Sequence, residues 1–121
     1  MAQCLVVLIT CPTQRHAKAL AHTLVSKRLA ACVNVLPNVQ SLFWWQDKAA
    51  RAREALLLIK TTARRFESLR QTVQALHPYE VPEIIAIPIQ RGHRPYLRWI
   101  RESLRSSSPD PSIRSARVGT W

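Results

Sequence analysis

The chain has 121 residues, 47% of them apolar, enough for one domain with a real core. Its 18 basic residues against 7 acidic ones give a formal net charge of +11, and only two glycines are present. So few glycines argue against a glycine-rich phosphate loop, and neither GxGxxG nor GxxxxGK[ST] occurs. Three cysteines, at 4, 11 and 32, show no CxxC spacing. An odd count of cysteines in apolar runs points to reduced thiols in the cytoplasm rather than a disulfide framework. No basic leader precedes the first apolar run, and no stretch approaches the about 20 apolar residues of a spanning helix. The expectation is a cytoplasmic chain without membrane insertion.

Leu5 to Ile9 is a continuous β-branched apolar run and reads as a buried first strand. Thr13 suits a helix N-cap. Ala17, Leu20, Ala21, Leu24, Val25 and Leu29 then recur at helical spacing. Cys32–Leu36 and Val39–Trp45, split by Pro37-Asn38, predict one long, bent second strand. Gln46-Asp47-Lys48 reads as a turn. Glu54–Lys60 predicts the third strand, apolar on both alternating faces. Thr61-Thr62 can cap a second helix whose stripe is Phe66, Leu69, Val73 and Leu76. Pro78 ends it.

His77-Pro78-Tyr79-Glu80-Val81-Pro82-Glu83 follows, and between residues 71 and 90 the only formal charges are Glu80 and Glu83. The one net-acidic segment of a basic chain is thus stiffened by two prolines. Ile84–Ile89 predicts a buried fourth strand, and Tyr96, Leu97, Ile100 and Leu104 outline a third helix after Pro95. Residues 1–105 form the expected domain. Residues 106–121 have little to bury and read as a flexible basic tail, in which Trp121 has no explanation.

The order β-α-β-β-α-β plus a helix predicts an α+β, ferredoxin-like split βαβ fold. Its helices cover one sheet face and leave the other bare. Trp44 and Trp45, adjacent in a strand, point to opposite faces. Self-association is the simplest cover for the bare face, and a stacking surface for a ligand is the other reading of the tryptophans.

Several motifs together resemble the CutA divalent-cation tolerance family. They are Ala30-Ala31-Cys32-Val33-Asn34-Val35-Leu36-Pro37, Ser41-Leu42-Phe43-Trp44-Trp45, Glu54 with Leu57-Leu58-Ile59-Lys60-Thr61, His77 through Ile84, and Tyr96-Leu97-Trp99. The resemblance spans roughly residues 4 to 104. It implies a homotrimer of PII-like architecture, strands crossing subunit boundaries, and a role in tolerance of copper and other divalent cations. It also implies an inter-subunit cleft lined by Trp45, Lys60, Tyr79 and Glu54. The chain departs from the family pattern in three places. The segment after Trp45 is basic where it is often acid-rich. Ile9 stands where some members carry a first-strand cysteine, with Cys11 two residues on. The arginine-rich tail lies outside the family core.

The candidate metal ligands are His77, Cys32, Glu80 and Glu83, for Cu²⁺ or Zn²⁺. Imidazole suits copper and zinc, and thiolate suits Cu(I). Each has a structural reading too. His77 can cap a helix C-terminus, Cys32 can lie in the core, and either glutamate can pair with Lys60 or an arginine. His16 and His22, six apart on the first helix, share no face. No Ser/His/Asp set or HExxH is present, so no enzyme is expected. Residues 54–61 hold no aromatic and no glycine, which argues against an RRM-type strand, and no specific nucleic-acid partner is expected. Two functions follow as expectations. One is metal tolerance or response through metal binding without catalysis. The other is a PII-like sensor of a small anionic ligand in the cleft.

Overall fold

A computed structural model of the chain describes residues 2–105; the tail read over 106–121 lies outside the described residues. The elements are β1 (Cys4–Cys11), α1 (Gln14–Ser26), β2 (Cys32–Trp45), β3 (Lys48–Thr62), α2 (Ala63–Leu76), β4 (Ile84–Pro88) and α3 (Arg94–Ser103). The four strands form one antiparallel sheet in the order β2-β3-β1-β4. The α+β split βαβ arrangement read from the sequence is the one observed.

Alternation along β1 and β3 sorts the core. Leu5, Val7, Ile9 and Cys11 pair with Thr61, Ile59, Leu57 and Ala55, and all eight are buried. They face α1 and α2, which contribute Ala17, Leu20, Leu24, Leu69 and Val73. The intervening positions form the other sheet face, which α1 and α2 leave open; α3 covers only its end, where Cys4 packs with Ile100 and Leu104. There Ile85 and Ile87 of β4 remain 49% and 48% exposed. The fourth strand, expected to be buried, is therefore a half-exposed edge strand. Leu76 of α2, assigned to a buried stripe, is the last residue of the helix and is 56% exposed.

Thr13 caps α1 as expected, its hydroxyl accepting from the His16 backbone N–H at 3.1 Å. The helix stops at Ser26 rather than Leu29. Arg28 turns left-handed (φ 57°), and the N–H of Leu29 returns to the Leu24 carbonyl. Thr62 caps α2 by position only, and its next residue, Ala63, donates its N–H to the Gln3 carbonyl. Thr61 instead donates its hydroxyl to the Leu29 carbonyl at 2.7 Å.

The third strand begins at Lys48, not Glu54. Gln46 and Asp47 both hold positive φ (49° and 63°), which closes a two-residue hairpin turn. Residues 48–53 then pair with residues 40–45 in a ribbon extending beyond the core. The second strand is continuous and bent, as expected. Between the pairs Leu36–Leu56 and Val39–Glu54, Pro37 and Asn38 stand opposite Ala55 alone. Asn38 takes φ 59° to make this bulge. The extra residue exchanges the strand's two faces. Without it, Leu42 and Trp44 would stand over the uncovered side of β3; with it, Phe43 and Trp45 do. Among the described residues, no helix is long and apolar enough to cross a membrane.

Candidate functional site

The bulge and the loop after α2 together make a groove of about 680 Å³. Its walls include Thr10, Phe43, Trp45, Ala50, Glu54, Tyr79, Glu80, Val81 and Glu83. Three of the chain's seven acidic residues lie there, and no Lys or Arg is among the described residues that line it.

Tyr79 is held from two directions. Its hydroxyl donates to Glu54 Oε2 at 2.8 Å, and its backbone N–H donates to His77 Nδ1 at 3.0 Å. His77 in turn lies 2.7 Å through Nε2 from the Thr10 carbonyl. Because Nδ1 accepts, the proton sits on Nε2 and is donated to Thr10. The two rings pack 4.9 Å apart at 50°. His77 is 8% exposed, and both its nitrogens are occupied by backbone.

Glu54 is also only 8% exposed. Among the described residues the ion pair is between Glu67 and Arg70, so the buried Glu54 carboxylate has a phenol for a partner and no cation. Its influence shows on its neighbours. Burial, then the hydrogen bond to Glu54 and the negative charge of that carboxylate, push the Tyr79 hydroxyl up to about 12. Burial, then the charge of Glu54, push the Cys11 thiol up to about 11. Cys11 stays a protonated thiol, a poor ligand and nucleophile.

The candidate residues thus divide. Trp45, Tyr79, Glu54, Glu80 and Glu83 meet at the groove. Cys32 and Lys60 do not. They are cross-strand partners, six residues along β3 from Glu54, or about 20 Å at strand rise. Lys60 donates to the Asn34 side chain. Neither Glu80 nor Glu83 takes Lys60 as a partner. Among the described residues no three His, Cys, Asp or Glu side chains converge to hold a metal ion, so one subunit does not gather the set His77, Cys32, Glu80 and Glu83. Phe43 and Thr10 were not foreseen. Phe43 carried a signal, two residues before Trp45 on the same strand face, whereas the Thr10 carbonyl carried none.

A model of the CutA1 divalent ion tolerance protein matches residues 5–103. The chain belongs to the CutA1 family. It is 51% identical over 98 residues to the divalent-cation tolerance protein CutA of Thermus thermophilus, covering 81% of this chain and 95% of that one. It is 43% identical over 105 residues to protein CutA of Homo sapiens, covering 87% of this chain but 59% of that one. It therefore spans about three fifths of the human relative's length. The solved structure of CutA1 from Oryza sativa superposes with a TM-score of 0.84 at 42% identity, over 88% of this chain and 97% of that one. CutA1 membership agrees with the expectation drawn from the sequence motifs.

Proposed function

We propose that the protein serves divalent-cation tolerance by binding a metal ion, copper or zinc, without catalysis, as a self-associated cytoplasmic trimer. One observation carries this reading beyond the family: a nine-tenths-buried carboxylate, Glu54, opens on an acidic groove and has no cationic partner among the described residues. A buried charge is costly unless compensated. A bound cation would supply the compensation.

Glu80 and Glu83, exposed at the groove, are the donors assigned to the ion; a second copy completes the shell, since the described residues of one chain bring no third His, Cys, Asp or Glu into range. His77 acts by holding Tyr79. Cys32 is too far along the sheet to join within one subunit. The half-exposed Ile85 and Ile87 face supplies the surface for association. Cys4, Cys11 and Cys32 are all free thiols, which suits a reducing compartment. A small anionic ligand is the weaker reading, because in this groove it would meet three carboxylates.

Thermal melts with Cu²⁺ or Zn²⁺ test the proposal. A ligand of the native state at 100 times its Kd stabilises by about 2.7 kcal/mol. The melting temperature should rise with metal in wild type, and rise less in Glu80→Gln/Glu83→Gln. No shift with either ion would reject metal binding.

A further inference from the structure

α1 and α2 lie on the sheet face opposite the one given to self-association, and between them opens a second, separate pocket. Helical spacing builds one wall. His16, Ala19, Leu20 and Thr23 stand at i, i+3, i+4 and i+7 of α1, so they share a face. Leu76, the last residue of α2, and Pro78 beyond it form the other wall. Among the described residues, Leu76 is the one large apolar side chain that α1 and α2 leave exposed, and it stands at this pocket. At about 200 Å³ the pocket falls below the roughly 300–1,000 Å³ of sites for whole small molecules. It suits a single side chain, since an apolar cavity of about 150 Å³ holds benzene.

The surroundings have one sign of charge. The first acidic residue of the chain is Asp47, so α1 has no carboxylate, while its Arg15 and Lys18 and the capping Lys27 are exposed. Lys27 falls four residues after Thr23 and continues the pocket face; Arg15 flanks His16. Glu80 and Glu83, the carboxylates closest to Pro78 in sequence, line the groove of Tyr79, and Glu67 of α2 pairs with Arg70.

From this combination we propose that the pocket docks an acidic peptide segment of a partner protein. One bulky apolar residue, the size of phenylalanine or leucine, seats against Leu20, Leu76 and Pro78, and carboxylates on either side of it meet Arg15 and Lys27. Anchor residues set into a groove between helices are a recurring mode of peptide recognition. A phosphate backbone would meet the same charge but has no side chain to fill the pocket or cover Leu76. His77 lines this pocket, and its Nδ1 accepts the N–H of Tyr79 in the acidic groove. A docked partner therefore sits one side chain away from the proposed cation site.

The test is fluorescence anisotropy of the full protein at physiological salt, with a chelator present so that metal plays no part. The probe is a short labelled peptide of glutamate and alanine with one central phenylalanine. Saturable binding with a Kd of about 100 μM or tighter is expected. The same peptide with alanine for phenylalanine should bind at least about tenfold more weakly. Ala19→Trp changes an exposed residue, fills the pocket and should weaken the phenylalanine peptide by the same factor. Arg15→Gln/Lys27→Gln, confined to exposed positions, should weaken it at least about threefold, with a loss that shrinks as salt is raised. Absence of saturable binding overturns the proposal. So does equal affinity for the two peptides, or an Ala19→Trp variant that binds as wild type does; either would mean charge attraction without a docking pocket. Duplex DNA that binds more tightly than the peptide, and equally well to Ala19→Trp, would assign the face to a phosphate backbone and overturn it too.

Discussion

The Tyr79 hydroxyl donates to Glu54 Oε2 at 2.8 Å, joining the loop after α2 to the middle of β3 across 25 residues of sequence. Among the described residues, this bond is what satisfies a carboxylate that is nine-tenths buried. Tyr79→Phe removes the donor and leaves the charge. The expected loss is about 1–3 kcal/mol, the cost of stranding a buried polar group. Glu54→Gln, which leaves an acceptor and removes the charge, should cost less. Urea unfolding of both variants at one protein concentration checks the order.

Alkaline pH should weaken the fold through the same cluster. Cys11 and Tyr79 are pushed up from 9.0 to about 11 and from 10.0 to about 12. In the unfolded chain they release their protons first. The folded state therefore holds more protons between about pH 9 and 12, and stability falls as pH rises through that window. It is fully present below pH 9. Tyr79→Phe should flatten the upper half of the decline and Cys11→Ala the lower half, read by thermal melts between pH 8 and 12.

His77 fastens Tyr79 to β1 through the Thr10 carbonyl. His77→Ala frees both backbone groups and opens space beside Tyr79. A destabilisation of about 1–3 kcal/mol is expected, with the stoichiometry of metal binding retained. Equilibrium unfolding and a zinc titration of the variant separate this positioning role from that of a ligand: a ligand's loss would remove the zinc, and a strut's would not.

Asn38 carries the bulge at φ 59°. Asn tolerates the left-handed region better than most residues. Asn38→Ala should cost about 1 kcal/mol through backbone strain, and Asn38→Gly should be near neutral. Chemical denaturation reads the difference. If the two substitutions were equal, backbone conformation would not be what selects asparagine there.

Much of this architecture was legible in the residues themselves. Leu5–Ile9 and Leu56–Ile59 announced strands as short continuous apolar runs, and α1 announced a helix by the spacing of its apolar residues. Lys48–Arg53 stayed hidden as a strand, since a ribbon beyond the core buries little and its alternating Ala and Arg give no apolar signal. Glu54, Tyr79 and Trp45 were named through family resemblance, but their meeting depends on a one-residue bulge at Asn38 and on pairing between distant strands. His77 was picked out as an imidazole. What occupies it, a carbonyl 67 residues away, is a product of tertiary folding. Cys32 was grouped with the site by chemistry and Lys60 through family resemblance; within one subunit, strand geometry sets both apart from the groove.

The central claim is that the acidic groove around Glu54 takes up a cation. Calorimetric titration of the reduced protein with Cu²⁺ and Zn²⁺, beside Glu54→Gln and Glu80→Gln/Glu83→Gln, addresses it most directly. Stoichiometric binding at about micromolar Kd, weakened at least about tenfold in both variants, is the predicted result. Binding of equal strength in all three proteins would place the ion elsewhere and contradict the account.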